Sequence, residues 1–405
     1  MTDKTNPPGF EQGMDILKLI GGRNFDGPIN SLATLSKDMA DLTVSFAYGQ
    51  ILSRGLLDLR SRQICTVSSL IAHGSAQSQL RFHMHGLLNA GGTPQDLVEL
   101  MFLSTAILGF PAAINSIDVV RSVFDERSIS YRDLPSEQQL SESDRFDIGV
   151  ANFERLMRLP ASEYIEALSD LSPDMANWAM EFAFGEVMGR NGLDSLHKQF
   201  AAISMLATCG NRQEELSAYM EAALAEGADL SLIAEVLIQL SVYAGFPTAL
   251  NAFSTLGSVV KQPRNPSHQS QVLRVTVDAQ TDTRMQRGAA ALAKSSGGSG
   301  ETVVRSFDDI APDIGRMIVE HSYGDIFSRP GIDPKTRELT ACAALAAKGT
   351  KSAEKPLRVH VNAALKCGAT RVELVETMLN LLPYCGYPAV KVALAIVTDE
   401  LALNR

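Results

Sequence analysis

A chain of 405 residues with 45% hydrophobic side chains has material for more than one buried core. Its formal charge of −10 and pI of about 5.3 argue against non-specific binding to nucleic acid or to an anionic membrane. The five cysteines, Cys65, Cys209, Cys342, Cys367 and Cys385, form no CxxC pair and no disulfide or zinc framework, which fits a reducing compartment.

The opening "MTDKTNPPGF" has no basic segment followed by an apolar run, so no secretory signal is read there. The longest apolar stretch, residues 97–114, carries Glu99 and is broken by Gly109 and Pro111. It reads as a buried helix and a turn rather than a membrane span, and a cytoplasmic protein is expected.

Three stretches align residue for residue: "DMADLTVSFAYGQILSRGLLDLRSRQ" (38–63), "DMANWAMEFAFGEVMGRNGLDSLHKQ" (174–199) and "DIGRMIVEHSYGDIFSRPGIDPKTRE" (313–338). Gly13, Gly149 and Gly288 each stand 25 residues before the aligned aspartate. Downstream, Gly91, Gly227 and Gly368 precede Glu99, Glu235 and Glu376 by eight positions, and ten further on come Gly109, Gly245 and Gly386. The chain is therefore three copies of a unit of about 120 residues. The repeats are placed at 9–127, 145–262 and 284–405, with polar linkers at 128–144 and 263–283. Inside the third, "KSSGGSGET" (294–302) is expected to be mobile.

Within each repeat, apolar residues recur at three- and four-residue steps, so the fold class is all-α, three tandem helical bundles. Thr93 and Asp229 suit N-caps. The recurring Gly-aromatic-Pro phrase suits a helix corner, glycine closing one helix and Pro111, Pro247 or Pro388 opening the next.

The third repeat, with "YGDIFSRPGIDPKTRELTACAALAAKG" followed by "LRVHVNAALKCGATRVELVETMLNLLPYCGYPA", resembles the carboxymuconolactone decarboxylase family, which includes the alkylhydroperoxidase-type proteins. The likeness extends over all three repeats. It implies an all-α subunit that assembles as compact oligomers, so that a homodimer of this chain would present six units; a monomer with internal pseudo-threefold packing is the alternative.

The resemblance also implies a site made of an arginine, a histidine and a cysteine. The third repeat supplies Arg337, His360 and Cys385, with Glu338 beside the arginine and His321 as a further pocket residue. The first keeps Arg62 and His83, a possible secondary site, with Gln63 and Leu108 at the other two positions. The second has Lys198, Gln199, Tyr219 and Ala244, and reads as structural.

Loss of CO2 from an unsaturated lactone leaves an electron pair that the conjugated carbonyl can take up, so no cofactor or metal is expected. Arginine can bind a carboxylate, and histidine can deliver the proton. Glu338 would orient His360 or act as a base; Cys385 would donate a proton or line the pocket. Each has a plainer reading as a core histidine, a small buried hydrophobe or an ion pair, since adjacent helical residues point about 100° apart. "HMH" (83–85) is not a metal site, because residues two apart on a helix face different ways. Thiol redox chemistry needs two neighbouring cysteines, and Cys367 and Cys385 are eighteen residues apart.

The expected function is a cofactor-independent lyase acting on a small carboxylated lactone or enone of aromatic catabolism or secondary metabolism. The alternatives are a non-catalytic binding or scaffold protein, and an isomerase, dehydratase or cyclase using the same acid–base groups.

Overall fold

The computed structural model describes residues 6–130, 132, 134–135, 142–169, 172–261, 283–296, 298–305, 312–329, 331–349 and 351–403. The expected linker at 263–283 lies almost wholly outside the described residues, and that at 128–144 lies partly outside them. The described residues are helical almost throughout and contain no strand, and none of their helices is long and apolar enough to cross a membrane.

The first repeat carries α1 (Phe10–Gly21), α2 (Leu59–His73), α3 (Gln77–Asn89), α4 (Pro94–Ile107) and α5 (Phe110–Glu126). The second carries α6 (Glu142–Met157), α7 (Ser195–Cys209), α8 (Gln213–Ala225), α9 (Leu230–Tyr243) and α10 (Phe246–Lys261). The third carries α11 (Thr283–Ser295), α12 (Pro334–Lys348), α13 (Lys351–Lys366), α14 (Arg371–Leu379) and α15 (Leu382–Leu403).

Local sequence sets the helix ends in the same way each time. Asp58, Asp194 and Asp333 cap α2, α7 and α12, their carboxylates accepting from the backbone N–H of Ser61, His197 and Thr336. Thr93 forms a capping box with Asp96, and Asp229 accepts from the N–H of Leu232, as expected of both. At the corners, Gly109, Gly245 and Gly386 have φ of +92°, +84° and +75°, where a side chain would be strained.

The recurring Gly13, Gly149 and Gly288 have a steric reason. A Cβ at each would meet the backbone oxygen of Val44, Met180 or Val319 at 2.1, 2.0 and 1.9 Å. The helix carrying the glycine lies directly against a segment that is not α but π: Thr43–Leu52, Ala179–Val187 and Ile318–Phe327. Three- and four-residue spacing does not distinguish the two windings, and the wider one buries nearly every side chain from Val44 to Leu52.

"KSSGGSGET" differs from expectation. Ser295 and Ser296 are buried, and Gly298–Arg305 is helical. The Ser296 hydroxyl donates to the Leu292 carbonyl at 3.3 Å, and Lys366 Nζ donates to the Ser296 carbonyl at 2.8 Å. These contacts hold a composition that, left to itself, is a flexible one.

The chain divides into two compact units, Met1–Gly245 with Ser254–Gln269, and Phe246–Phe253 with Ser270–Arg405. In the first unit the first two repeats pair. Helices α2 and α7 run side by side in the same direction: Ser61 Oγ meets His197 Nε2 at 2.8 Å near their starts, and Ser69 meets Thr208 at 2.8 Å near their ends. Arg54 holds Glu235 on one flank (2.6–2.9 Å) and the aligned Arg190 holds the aligned Glu99 on the other (2.8 Å). Exchange of the repeats thus maps one ion pair onto the other, an internal pseudo-twofold. In the second unit Leu345, Leu357, Val361, Leu374, Met378, Val390, Ile396 and Val397 form the core under α12–α15, each such burial contributing about 1.5–3 kcal/mol.

Candidate active site

Helices α12 and α13 bring two of the expected residues into contact. His360 Nδ1 lies 2.7 Å from Glu338 Oε2. Glu338 is fully buried, and its Oε1 has no hydrogen-bond partner among the described residues. The side chain of His360 is about one-fifth exposed, 19%. The bond fixes the ring through Nδ1 and leaves Nε2 as its other nitrogen. The wall is aromatic: the Phe327 ring lies 6.2 Å from that of His360 and 5.2 Å from that of Tyr323. Burial and the charge of Glu338 push the Tyr323 hydroxyl up to about 12, so it stays protonated.

Arg337 also ties down the loop before α12. Its Nε donates to the Ile332 carbonyl at 3.2 Å and its Nη2 to the Arg329 carbonyl at 2.7 Å. The same reach of eight residues recurs in Arg62, whose Nη2 meets the Arg54 carbonyl at 2.8 Å, and in Lys198, whose ammonium bonds the Arg190 carbonyl. A cation here ties the preceding loop to the helix, and in Arg337 it leaves Nη1 for another partner. Cys385, half-buried just before Gly386, contacts neither Glu338 nor His360 through any bond among the described residues. His321 belongs to a cluster on the π segment and α11: its Nδ1 is 3.2 Å from Asp325, which also takes two bonds from Arg284. Burial raises the Asp325 carboxyl, and His321 and Arg284 outweigh that and hold it below its ordinary value.

The first repeat places His83 and Gln63 at the same two positions, His83 Nδ1 lying 2.9 Å from Gln63 Oε1. This histidine is enclosed. Tyr48 stacks on it, Phe82 meets it edge-on, and Tyr243 of the second repeat closes the remaining side at 5.3 Å. Burial pulls its pKa down to about 3, so it is neutral at physiological pH. Arg62 is likewise sealed: beyond the loop carbonyl it bonds Glu235 at 2.8 Å and Gln239 at 3.3 Å, both from the second repeat. In the second repeat Tyr219 stands at the histidine position, and neither polar atom of the buried Gln199 side chain has a partner among the described residues.

Sequence reading missed Tyr323, although a signal existed. Tyrosine stands at 48 and 323, in the two repeats with the histidine, and Phe184 at the aligned position of the repeat without it. It also missed Glu235, Gln239 and Tyr243, because no single repeat shows that its neighbour completes it.

The sequence model of the carboxymuconolactone decarboxylase family matches residues 37–122, 173–256 and 312–399. An uncharacterized 15.0 kDa protein of Paracoccus denitrificans is 37% identical over 99 residues, 24% of this chain and 73% of its own length. The 4-carboxymuconolactone decarboxylase of Acinetobacter baylyi is 25% identical over 122 residues, 30% of this chain and 90% of its own. Nitrosuccinic acid decarboxylase of Metarhizium robertsii is 32% identical over 84 residues, 21% of this chain and 56% of its own. With three matches spanning most of its length and the all-α architecture to accompany them, the chain belongs to the carboxymuconolactone decarboxylase family.

Proposed function

We propose that the third repeat decarboxylates a small acid whose own conjugated carbonyl, or an equivalent acceptor group, takes up the electron pair left by CO2. The observation that carries this is the Glu338–His360 pair, a buried carboxylate holding a partly exposed imidazole by Nδ1. Two relatives are named as decarboxylases, of 4-carboxymuconolactone and of nitrosuccinic acid. Lactone carbonyl and nitro group are both electron acceptors, which makes the acceptor the common requirement.

In the proposed step the bond between the substrate carbon and its carboxylate breaks, CO2 leaves, and the pair moves into the acceptor as an enolate or its equivalent. His360, as imidazolium, then delivers a proton to carbon, and solvent restores it. Glu338 stabilises the imidazolium and fixes the ring. Arg337 presents Nη1 to the substrate carboxylate from a guanidinium already anchored at its other two nitrogens. Phe327 and Tyr323 line the pocket.

The test is incubation of the purified chain with 4-carboxymuconolactone and with nitrosuccinic acid, following ultraviolet absorbance and released CO2. His360→Ala should abolish turnover, and Tyr219→Ala should leave it nearly intact. Equal losses from both variants would remove the third repeat as the site.

A further inference from the structure

The third repeat differs from the other two behind its Glu338–His360 pair. Ser295, at the end of α11, stands where the first repeat has Ile20 and the second Leu156, both buried apolar side chains. Two further positions adjoin it. The three read Ile20, Tyr48 and Gln63 in the first repeat, Leu156, Phe184 and Gln199 in the second, and Ser295, Tyr323 and Glu338 in the third. Only the third repeat is polar at all three.

The first repeat shows how closely these positions meet. A Cβ on Gly86 would lie 2.8 Å from Gln63 Oε1 and 3.3 Å from Ile20 Cβ, so α1 brings position 20 against the side chain at position 63. The third repeat keeps that packing. Gly288 lies against its π segment as Gly13 does, and Lys366 Nζ holds the Ser296 carbonyl where the aligned Asn89 Nδ2 holds the carbonyl one position earlier, that of Ile20, at 2.6 Å. Ser295, Tyr323 and Glu338 are all buried. Ser295 Oγ and Glu338 Oε1 both lack a hydrogen-bond partner among the described residues. Gln63 Nε2 and both polar atoms of Gln199 lack one as well, but those are neutral amides. An oxygen of a buried carboxylate costs far more to leave unpaired.

From this we infer that a buried water joins Ser295 Oγ to Glu338 Oε1, and that Ser295 and Tyr323 are positioning residues that keep Glu338 a carboxylate and His360 an imidazolium. A buried water needs two to four polar partners, and this one has a carboxylate oxygen and a serine hydroxyl, with the Tyr323 hydroxyl as a third. Burial, and then the charge of Glu338, keeps that phenol protonated, so it can donate. The need for the water is electrostatic. Glu338 Oε2 faces His360 Nδ1 at 2.7 Å, and with Oε1 unsolvated the proton between them would settle on the carboxylate, leaving both groups neutral. A neutral imidazole gives up its Nε2 proton far less readily than an imidazolium. A donor on Oε1 stabilises the carboxylate and so retains the charged pair. An isoleucine at position 295 would fill the space and supply no donor. The effect on turnover rests on the reading of His360 as the proton donor; the water site does not.

Two measurements on the full chain test this. A crystal structure should show a water within hydrogen-bond distance of both Ser295 Oγ and Glu338 Oε1, and Ser295→Ile should lose it. Nitrogen-15 spectra of histidine-labelled protein, with His360→Ala to assign the signal, read the ring directly: the two nitrogens of an imidazolium resonate close together, and those of a neutral ring far apart. At one fixed neutral pH the wild type should give the imidazolium pattern and Ser295→Ile the neutral one. Ser295→Ala, which adds no bulk, should move the same way, and Ser295→Thr, which keeps the hydroxyl, should hold the wild-type pattern. Loss of packing alone would not sort the variants by hydroxyl. Where turnover is measurable, Ser295→Ile should lower kcat by about tenfold or more, toward the loss of the proton donor itself, with KM little changed. No water at this place, or an His360 pattern indifferent to Ser295→Ile and Ser295→Ala, would overturn the inference. Wild-type kcat in Ser295→Ile would also overturn it while leaving the reaction standing. The water and the expected spectra without turnover of either compound would support the inference and remove the reaction.

Discussion

His83 and His360 stand at the same place in two repeats, each with Nδ1 against the residue at the same position of the preceding long helix. Around His83 that residue is the neutral Gln63, three aromatic rings enclose the imidazole, and burial drives its pKa to about 3. Around His360 it is the carboxylate of Glu338, and the ring stays partly open. The positions alone therefore confer no acid–base function. A carboxylate partner favours the imidazolium, and access allows it to meet a substrate. In the first repeat the same scaffold has become a packed joint, and the arginine beside it has become part of the seal between repeats.

Six substitutions should break or sharpen that contrast. The largest effect is expected from His360→Ala, which should lower turnover by roughly a hundredfold or more, the usual contribution of a positioned proton donor. His83→Ala should leave kcat within about twofold, because a neutral, enclosed imidazole reaches no substrate. Comparable losses in assays of the two variants would mean that the first repeat shares the chemistry.

Next comes the seal. Glu235→Ala leaves both Arg54 and Arg62 without their carboxylate in a buried setting and should cost about 3–5 kcal/mol in urea unfolding. Glu99→Ala removes the partner of Arg190 alone, whose guanidinium also stacks 3.8 Å over the Phe102 ring. It should cost less, and equal costs would show that Arg62 contributes nothing to the joint. Smaller again is Glu338→Gln, which gives the third repeat the glutamine of the first. Roughly a tenfold to hundredfold fall in kcat is expected, since a neutral amide does not stabilise the imidazolium. An unchanged kcat would assign Glu338 to packing.

Much of this was legible in the sequence. The triplicated spacing, the caps at Thr93 and Asp229 and the Gly-Pro corners are short-range features that act through the backbone next to them, so they read directly. The pairing of Glu338 with His360 was within reach because both sit on helices whose register the repeats fix. Three things were not legible. The π winding leaves apolar spacing close to that of an α-helix. The buried stretch at Ser295 and Ser296 is held by Lys366, 70 residues away, whereas composition describes only the local chain. The commitment of Arg337 to the carbonyls of Arg329 and Ile332 depends on a loop conformation that residue type does not encode.

The smallest change is in stability and isolates His83. Its folded pKa of about 3 lies below the ordinary histidine value of about 6.5. The folded protein therefore keeps this ring neutral while the unfolded chain takes up a proton as the pH falls. The unfolded state then binds more protons, so stability falls with falling pH. The contribution is present in full above about pH 6.5 and is lost at about 1.4 kcal/mol per pH unit down to about pH 3. Between pH 7 and pH 5 that amounts to about 2 kcal/mol. His83→Phe has no proton to take up, so the difference between its unfolding free energies at pH 7 and pH 5 should be smaller than the wild type's by that amount. Urea titrations at the two pH values measure it, whatever absolute stability the substitution costs. An undiminished difference would mean that His83 meets solvent in the folded state, and the contrast with His360 would then rest on Gln63 and Glu338 alone.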